Sequence, residues 1–219
     1  MPSVQSDPHA GQPLLHYGAP ISTARLVAIF MHGRGASAED ILGLAPELGV
    51  DDVAYLAPQA AGQSWYPHSF LSPIEQNEPG LSSALGVIAR LVAAAGEQRH
   101  APDRVVILGF SQGACLSLEF AARHPCRYAA IVGLSGGLIG PAGTSREYPG
   151  SMENTPVFIG CSDIDAHIPV ERVRESAGVF RRMGATVDER IYPRMGHTIN
   201  QDELQAMRAL ILPRVDGNQ

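Results

Sequence analysis

The stretch that most constrains the fold runs from Arg104 to Pro125. A β-branched run, Val105 to Leu108, meets the pentapeptide Gly109-Phe110-Ser111-Gln112-Gly113 and passes directly into residues whose apolar members recur at helical spacing. Strand, sharp turn and helix in that order would lift Ser111 above the carboxyl end of a sheet, at the positive N-terminus of the helix. Gly109 and Gly113 are required there because a strand and helix crossing so tightly leave no room for side chains beside the serine.

The flanking chain supplies the rest of such a sheet. Apolar runs at Arg25–Met31 and Val53–Ala57 predict strands buried on both faces, and Tyr128–Leu134, Pro156–Cys161 and Thr186–Tyr192 predict three further strands. Between them, Ser37 is placed to cap a helix carrying Ile41 and Leu48, which Pro46 should shorten or kink. Leu81, Leu85, Ile88 and Val92 predict a second helix stopped at Gly96, and Val170, Val173, Ala177 and Phe180 another ending at Gly184. A last helix, capped by Asn200, carries Leu204, Met207 and Ile211 and stops at Pro213. The alternation predicts an α/β fold, a mainly parallel central sheet with helices on both faces, with an edge strand at Leu14–Tyr17. Residues 1–12 are expected to form a flexible N-terminal tail and residues 13–215 a single domain.

Composition narrows the class of function. Hydrophobic residues make up 45% of the 219 and charged residues 17%, enough apolar material for a core and too much for disorder. The formal charge of -6 and the lack of any Lys/Arg run argue against nucleic acid or anionic membrane as partner. No apolar run is expected to approach the roughly 20 residues of a membrane span. Cys115, Cys126 and Cys161 are an odd set without metal-type spacing, so free thiols are expected, with no metal or other cofactor. The polar N-terminus lacks a signal-peptide layout, and a cytoplasmic location is the expectation.

A Gly-x-Ser-x-Gly motif alone is weak, because Gly133-Leu134-Ser135-Gly136-Gly137 repeats it. The residues downstream distinguish the two: Ser135 precedes a Gly/Pro-rich stretch to Thr155 that cannot start a stable helix or a separate lid, whereas Ser111 opens a helix. A serine nucleophile needs a base, oriented by an acid, in the chain order Ser, acid, His. His167 lies too near the acid on its own loop, so His197 after the last strand is the expected base. Asp165 is the expected acid, with Asp163 expected to tie its loop in an Asx-type turn. The backbone N–H groups of Gln112 and Arg34, the latter in His32-Gly33-Arg34-Gly35, are the expected oxyanion donors. Histidines 9, 16, 32, 68, 100 and 124 are read as structural or solvated.

Met31-His32-Gly33-Arg34-Gly35, Gly109-Phe110-Ser111-Gln112-Gly113, Leu134-Ser135-Gly136-Gly137, Asp165 with Ile168-Pro169, and Gly196-His197 together resemble the phospholipase/carboxylesterase family of α/β-hydrolases, which includes bacterial carboxylesterases and acyl-protein thioesterases. The resemblance implies an α/β-hydrolase fold without a cap domain and a triad of Ser111, Asp165 and His197. It departs where thioesterase members have Trp-Phe-Asp and this chain has Trp65-Tyr66-Pro67-His68. Trp65 is the leading candidate for an acyl-pocket wall, with plain packing as the alternative; Tyr66, Phe70, Leu71, His167 and Ile168 complete the candidate pocket. A shallow, open site predicts hydrolysis of short to medium acyl esters. Alternatives are a thioesterase, a hydrolase of aromatic-compound breakdown, or a non-catalytic ligand receptor on the same fold. Family members often form homodimers, while no exposed apolar stripe here demands one.

Overall fold

The computed structural model describes residues 7–212. Seven strands form one sheet: β1 (Leu14–Gly18), β2 (Leu26–Met31), β3 (Val53–Pro58), β4 (Val105–Phe110), β5 (Ala130–Leu134), β6 (Pro156–Ser162) and β7 (Thr186–Tyr192). Their spatial order is β1-β3-β2-β4-β5-β6-β7, with every pairing parallel except the antiparallel edge pair β1–β3.

Six helices cover it: α1 (Ala38–Leu42), α2 (Leu44–Leu48), α3 (Gly80–Glu97), α4 (Gln112–Arg123), α5 (Val170–Arg182) and α6 (Gln201–Ile211). The period-2 alternation of strand side chains explains why the central runs are apolar throughout. Val27, Ile29 and Met31 of β2 pack with α3, α4 and α5 on one face, while Leu26, Ala28 and Phe30 pack with α1, α2 and α6 on the other. By contrast β7 closes an edge, and its Asp188, Glu189 and Arg190 remain partly exposed, as charges on an edge strand should.

Local chemistry sets most boundaries. Ser37 and Asp40 form a reciprocal capping box on α1, and Asn200 and Glu203 form one on α6. Pro46 does not break the chain where expected: the interruption falls at Gly43, and Pro46 sits in the first turn of α2, where a missing N–H costs no helical bond. Gly96 likewise does not stop α3, which continues to Glu97 before Arg99 takes the left-handed conformation at φ 68°. At 18 residues and mean hydropathy 1.2, α3 is long and apolar enough by length and composition to cross a membrane, contrary to the expectation of no such run. In this fold its Leu81, Ala84 and Ile88 are buried in the core.

The N-terminal tail also differs from expectation over residues 7–12. The Ser83 hydroxyl donates to the Asp7 carboxylate, which also pairs with Arg90, and His9 is buried, taking the Ala61 N–H at 3.1 Å and facing the Trp65 carbonyl at 2.9 Å. Residues 1–6, the expected stop at Pro213 and the domain end at 215 lie outside the described residues.

Candidate active site

The carboxyl ends of β2, β4, β5, β6 and β7 converge on Ser111. This residue adopts φ 54° and ψ -117°, a backbone conformation that costs a non-glycine residue about 1–3 kcal/mol and persists only where its surroundings enforce it. The enforcement is visible on both sides. The Ser111 N–H donates to Leu134 O at 2.9 Å, and the Ser111 carbonyl accepts from Cys115 N–H at 3.0 Å. A Cβ at Gly109 would fall 2.5 Å from Ala114 N with the Gly113 carbonyl closer still, so the tight crossing requires both glycines.

His197 stands beside the serine, its Nε2 2.8 Å from Ser111 Oγ and its Nδ1 2.7 Å from Asp165 Oδ2. A carboxylate opposite Nδ1 favours the tautomer protonated there, which leaves Nε2 free to accept the serine proton. The Asp165 side chain is fully buried, and its Oδ1 accepts the N–H groups of His167 at 2.8 Å and Ile168 at 3.0 Å. Burial pushes this carboxyl up, but the hydrogen bond to His197 and those two N–H groups outweigh it and hold it below the ordinary carboxylate value.

Asp163 does not make the expected Asx-type turn. Ser162 Oγ takes that part by accepting Ile164 N–H at 3.1 Å, while Asp163 Oδ1 crosses to the neighbouring loop and accepts Arg194 N–H at 2.7 Å. Asp163 thus pins the chain that leads from β7 to His197, with Arg194 at φ 52°.

Arg34 and Gln112, whose N–H groups are the expected oxyanion donors, both line the space over Ser111. As first residue of α4, Gln112 has an N–H with no carbonyl to meet within the helix. Arg34 sits on the loop after β2, beside Gly33, whose added Cβ would stand in ordinary contact with the Ser111 Cβ at 3.4 Å. Their side chains perform a task the sequence did not reveal. Arg34 donates to the carbonyls of Tyr66, Pro67 and His68 at 2.6–2.8 Å, and Gln112 accepts Trp65 N–H at 2.9 Å and donates to Tyr66 O at 2.8 Å. One loop is therefore tied to both donors. Buried His32 adds a further tie, accepting Ala60 N–H at 3.0 Å on Nε2 and donating from Nδ1 to Gly33 O at 2.7 Å; burial lowers its pKa and keeps it neutral.

A cleft of about 420 Å³ opens over Ser111, with Tyr66, Phe70, Cys115 and Ile168 along its interior and Arg34, His68 and His167 at its exposed rim. His167 packs edge-on to the His197 ring at 4.8 Å. Two pocket expectations are corrected. Trp65 is fully buried away from the cleft, its Nε1 donating to His32 O at 2.9 Å and its ring against His9 and His32. Leu71 turns to the core cluster and does not line the cleft. The loop bends through Trp65–His68 and turns at Phe70–Leu71, and it is Tyr66 and Phe70 that take the wall, not Trp65 and Leu71. Cys115, expected only as a free thiol, and His68, read as structural or solvated, prove to line it; the i, i+4 spacing of Ser111 and Cys115 at the start of α4 was the available signal for the first. A second cavity of about 490 Å³ between β6, β7 and α6 holds no serine, cysteine or histidine. Among the described residues no group of three or more His, Cys, Asp or Glu could hold a metal ion.

A family model described as Phospholipase/Carboxylesterase matches residues 18–212. The crystal structure of a phospholipase/carboxylesterase from Dyadobacter fermentans superposes with a TM-score of 0.89 at 40% identity, covering 93% of this chain and 97% of that one. Acyl-protein thioesterase 1 of Saccharomyces cerevisiae is 26% identical over 90% of this chain and 96% of its own length. Carboxylesterase SOBER1 of Arabidopsis thaliana is 24% identical over 89% of this chain and 93% of its own.

Proposed function

We propose that this chain, which belongs to the phospholipase/carboxylesterase family of α/β-hydrolases and is a carboxylic ester hydrolase, works as a serine esterase on short to medium acyl chains through Ser111, His197 and Asp165. The observation that carries the reading is the continuous hydrogen-bonded series Ser111 Oγ–His197 Nε2 at 2.8 Å and His197 Nδ1–Asp165 Oδ2 at 2.7 Å. As Ser111 attacks the ester carbonyl, His197 takes its proton and Asp165 stabilises the imidazolium. The carbonyl oxygen gains charge beside Gln112 and Arg34, whose backbone N–H groups are the proposed donors to it. Collapse of the tetrahedral species passes the proton from His197 to the departing alcohol. Water then repeats the cycle on the acyl-serine, returning acid and free enzyme.

Chain-length preference rests on the cleft, whose 420 Å³ lies at the small end of the roughly 300–1,000 Å³ of ligand pockets. A series of p-nitrophenyl esters from acetate to palmitate tests both parts. Activity should peak at short to medium chains and vanish with the burst in Ser111→Ala. Retained turnover in that variant refutes the nucleophile, and a maximum at palmitate refutes the cleft argument. The name of the yeast relative supports a second reading, a thioesterase. Matched oxyester and thioester substrates separate the two.

A further inference from the structure

We propose that the cleft selects acyl groups carrying an uncharged, hydrogen-bond-accepting oxygen, and that the hydroxyl of Tyr66 is the group that recognises it. The inference rests on the acyl-transfer reading above and adds a substrate class to it. Tyr66 lines the cleft, is only 2% exposed, and its hydroxyl meets no protein hydrogen-bond partner among the described residues. Buried polar groups in native proteins nearly always have partners, because a hydroxyl removed from water without one is destabilising. A phenylalanine would fill the same volume without that penalty, so packing does not account for the oxygen.

The neighbours do not satisfy it either. The Cys115 thiol lies beside it, but sulfur is a weak acceptor and this one already faces the Gly137 N–H at 3.5 Å. Nor can the residue swing away to find water. Its carbonyl accepts from Arg34, Gln112 and Ser64 side chains at 2.8–2.9 Å, so the backbone is held while the ring points into the cleft.

Geometry also decides which part of an ester arrives there. The departing alcohol must lie within reach of His197 Nε2, the atom that protonates it. Tyr66 is tied instead to Arg34 and Gln112, the proposed oxyanion donors, so on this proposal it is the acyl portion, which carries the oxyanion, that extends toward it. Charge decides the rest. The nearby cations are already engaged: Arg34 by three carbonyls, and Arg172 by the carbonyls of Leu138 and Gly140 and the carboxylate of Glu175. Buried Glu119 is likewise engaged, by Arg123 at 2.7 Å and the Ile139 N–H at 2.9 Å, so it adds no unpaired charge. A phenol kept protonated by burial donates a hydrogen bond, so its complement is a neutral acceptor such as an ether, keto or hydroxyl oxygen.

Two pairs of p-nitrophenyl esters of equal acyl length test this: methoxyacetate against butanoate, and 3-methoxypropanoate against pentanoate. Within each pair the ratio of kcat/KM is divided by the ratio of alkaline hydrolysis rates, which removes intrinsic reactivity. In the wild type at least one normalised ratio should favour the oxygen-bearing ester by about 10-fold, the discrimination expected from one net hydrogen bond in a buried site. In Tyr66→Phe, which keeps every backbone tie, it should fall to about 1. Normalised wild-type ratios of about 1 or less in both pairs overturn the proposal without any variant, as does a preference that survives Tyr66→Phe. A wild type that hydrolyses none of the four esters, and whose Ser111 is not labelled by a fluorophosphonate, overturns the esterase reading itself. Labelling without selectivity overturns only the role of Tyr66.

Discussion

Substituting Gly113 by alanine probes the geometric core of the site. A Cβ there would stand 2.5 Å from the carbonyl carbon of Met31 and 2.6 Å from the carbonyl oxygen of His32, with the Met31 oxygen nearer still. Ordinary contact begins near 3.4 Å, so α4 and the end of β2 must separate by about 1 Å. Neither side can yield by rotating a side chain, since the atoms in conflict are all backbone. The consequence is specific. Ser111 and Gln112 belong to the α4 side of that junction and Arg34 to the β2 side, so the displacement parts the two proposed oxyanion donors. Misplacement of about 1 Å costs on the order of 10²-fold, and loss of one donor about 10²–10³-fold. Gly113→Ala should therefore lower kcat on p-nitrophenyl butanoate by at least about 10²-fold with little change in KM. Overpacking should remove about 1–3 kcal/mol of stability, and each kcal/mol lowers Tm by about 2–4 °C in a chain of this size. Gly96→Ala serves as the control, because nothing lies within 4 Å of its added Cβ near the end of α3. It should leave kcat unchanged and add up to about 1 kcal/mol. A Gly113→Ala enzyme within threefold of wild-type kcat, melting at the wild-type temperature, would refute the reasoning.

Asp165→Asn should reduce kcat by about 10³–10⁴-fold, because an amide no longer favours a proton on Nδ1 and Nε2 then presents a donor to Ser111; a loss below tenfold in steady-state kinetics would count against this. Because the folded carboxyl of Asp165 lies below its ordinary value, its stabilisation is present above about pH 3.9 and lost as pH falls, so the variant should lose less stability than wild type between about pH 5 and 3 in denaturant titrations. Glu203 has the opposite sign. Burial raises its carboxyl from 4.5 to about 7, against the Asn200 N–H that lowers it, so its protonated form stabilises the fold below about 4.5 and that contribution fades as pH rises through 7. Wild-type stability should drop by on the order of 2–3 kcal/mol across that window, and Glu203→Gln, which keeps an oxygen for the cap, should flatten the drop; parallel pH profiles would exclude the assignment.

The sheet and its helices are legible in the sequence because their signals are local. An uninterrupted apolar run as short as Val27–Met31, closed by His32-Gly33, reads as a strand covered on both faces, and Ser37 and Asn200 cap helices with groups a few residues away. Chain order then brings Ser111, Asp165 and His197 together without any distance being known. The loop between β3 and α3 is not legible in this way. Its shape is set by side chains distant in sequence, Arg34 and Gln112 grasping backbone carbonyls, and carbonyls leave no trace in a sequence. Without that clamp the direction of Trp65 against Tyr66 is undetermined, and size alone favours the larger aromatic for a wall that the smaller one forms. Asp163 escapes a sequence reading for the same reason: its partner is the Arg194 N–H, on a different strand's loop.

The duplicated pentapeptide acquires a physical meaning from the register. Gly109 of β4 pairs with Met31 on one side and Gly133 of β5 on the other, so both motifs begin at the same level of the sheet. Ser135 shares the left-handed backbone of Ser111, at φ 51°, but is fully buried. Its N–H donates to Gly160 O at 2.7 Å, just as the Ser111 N–H donates to Leu134 O, so each strand end is held by the next across β4, β5 and β6. Gly136 then lets α4 approach, since a Cβ there would lie 2.5 Å from that of Ala114. The second motif is thus the brace on which the first rests: the same need for a sharp strand exit beneath a close helix selects the same residues, and only the strand whose exit begins that helix presents its serine to the cleft.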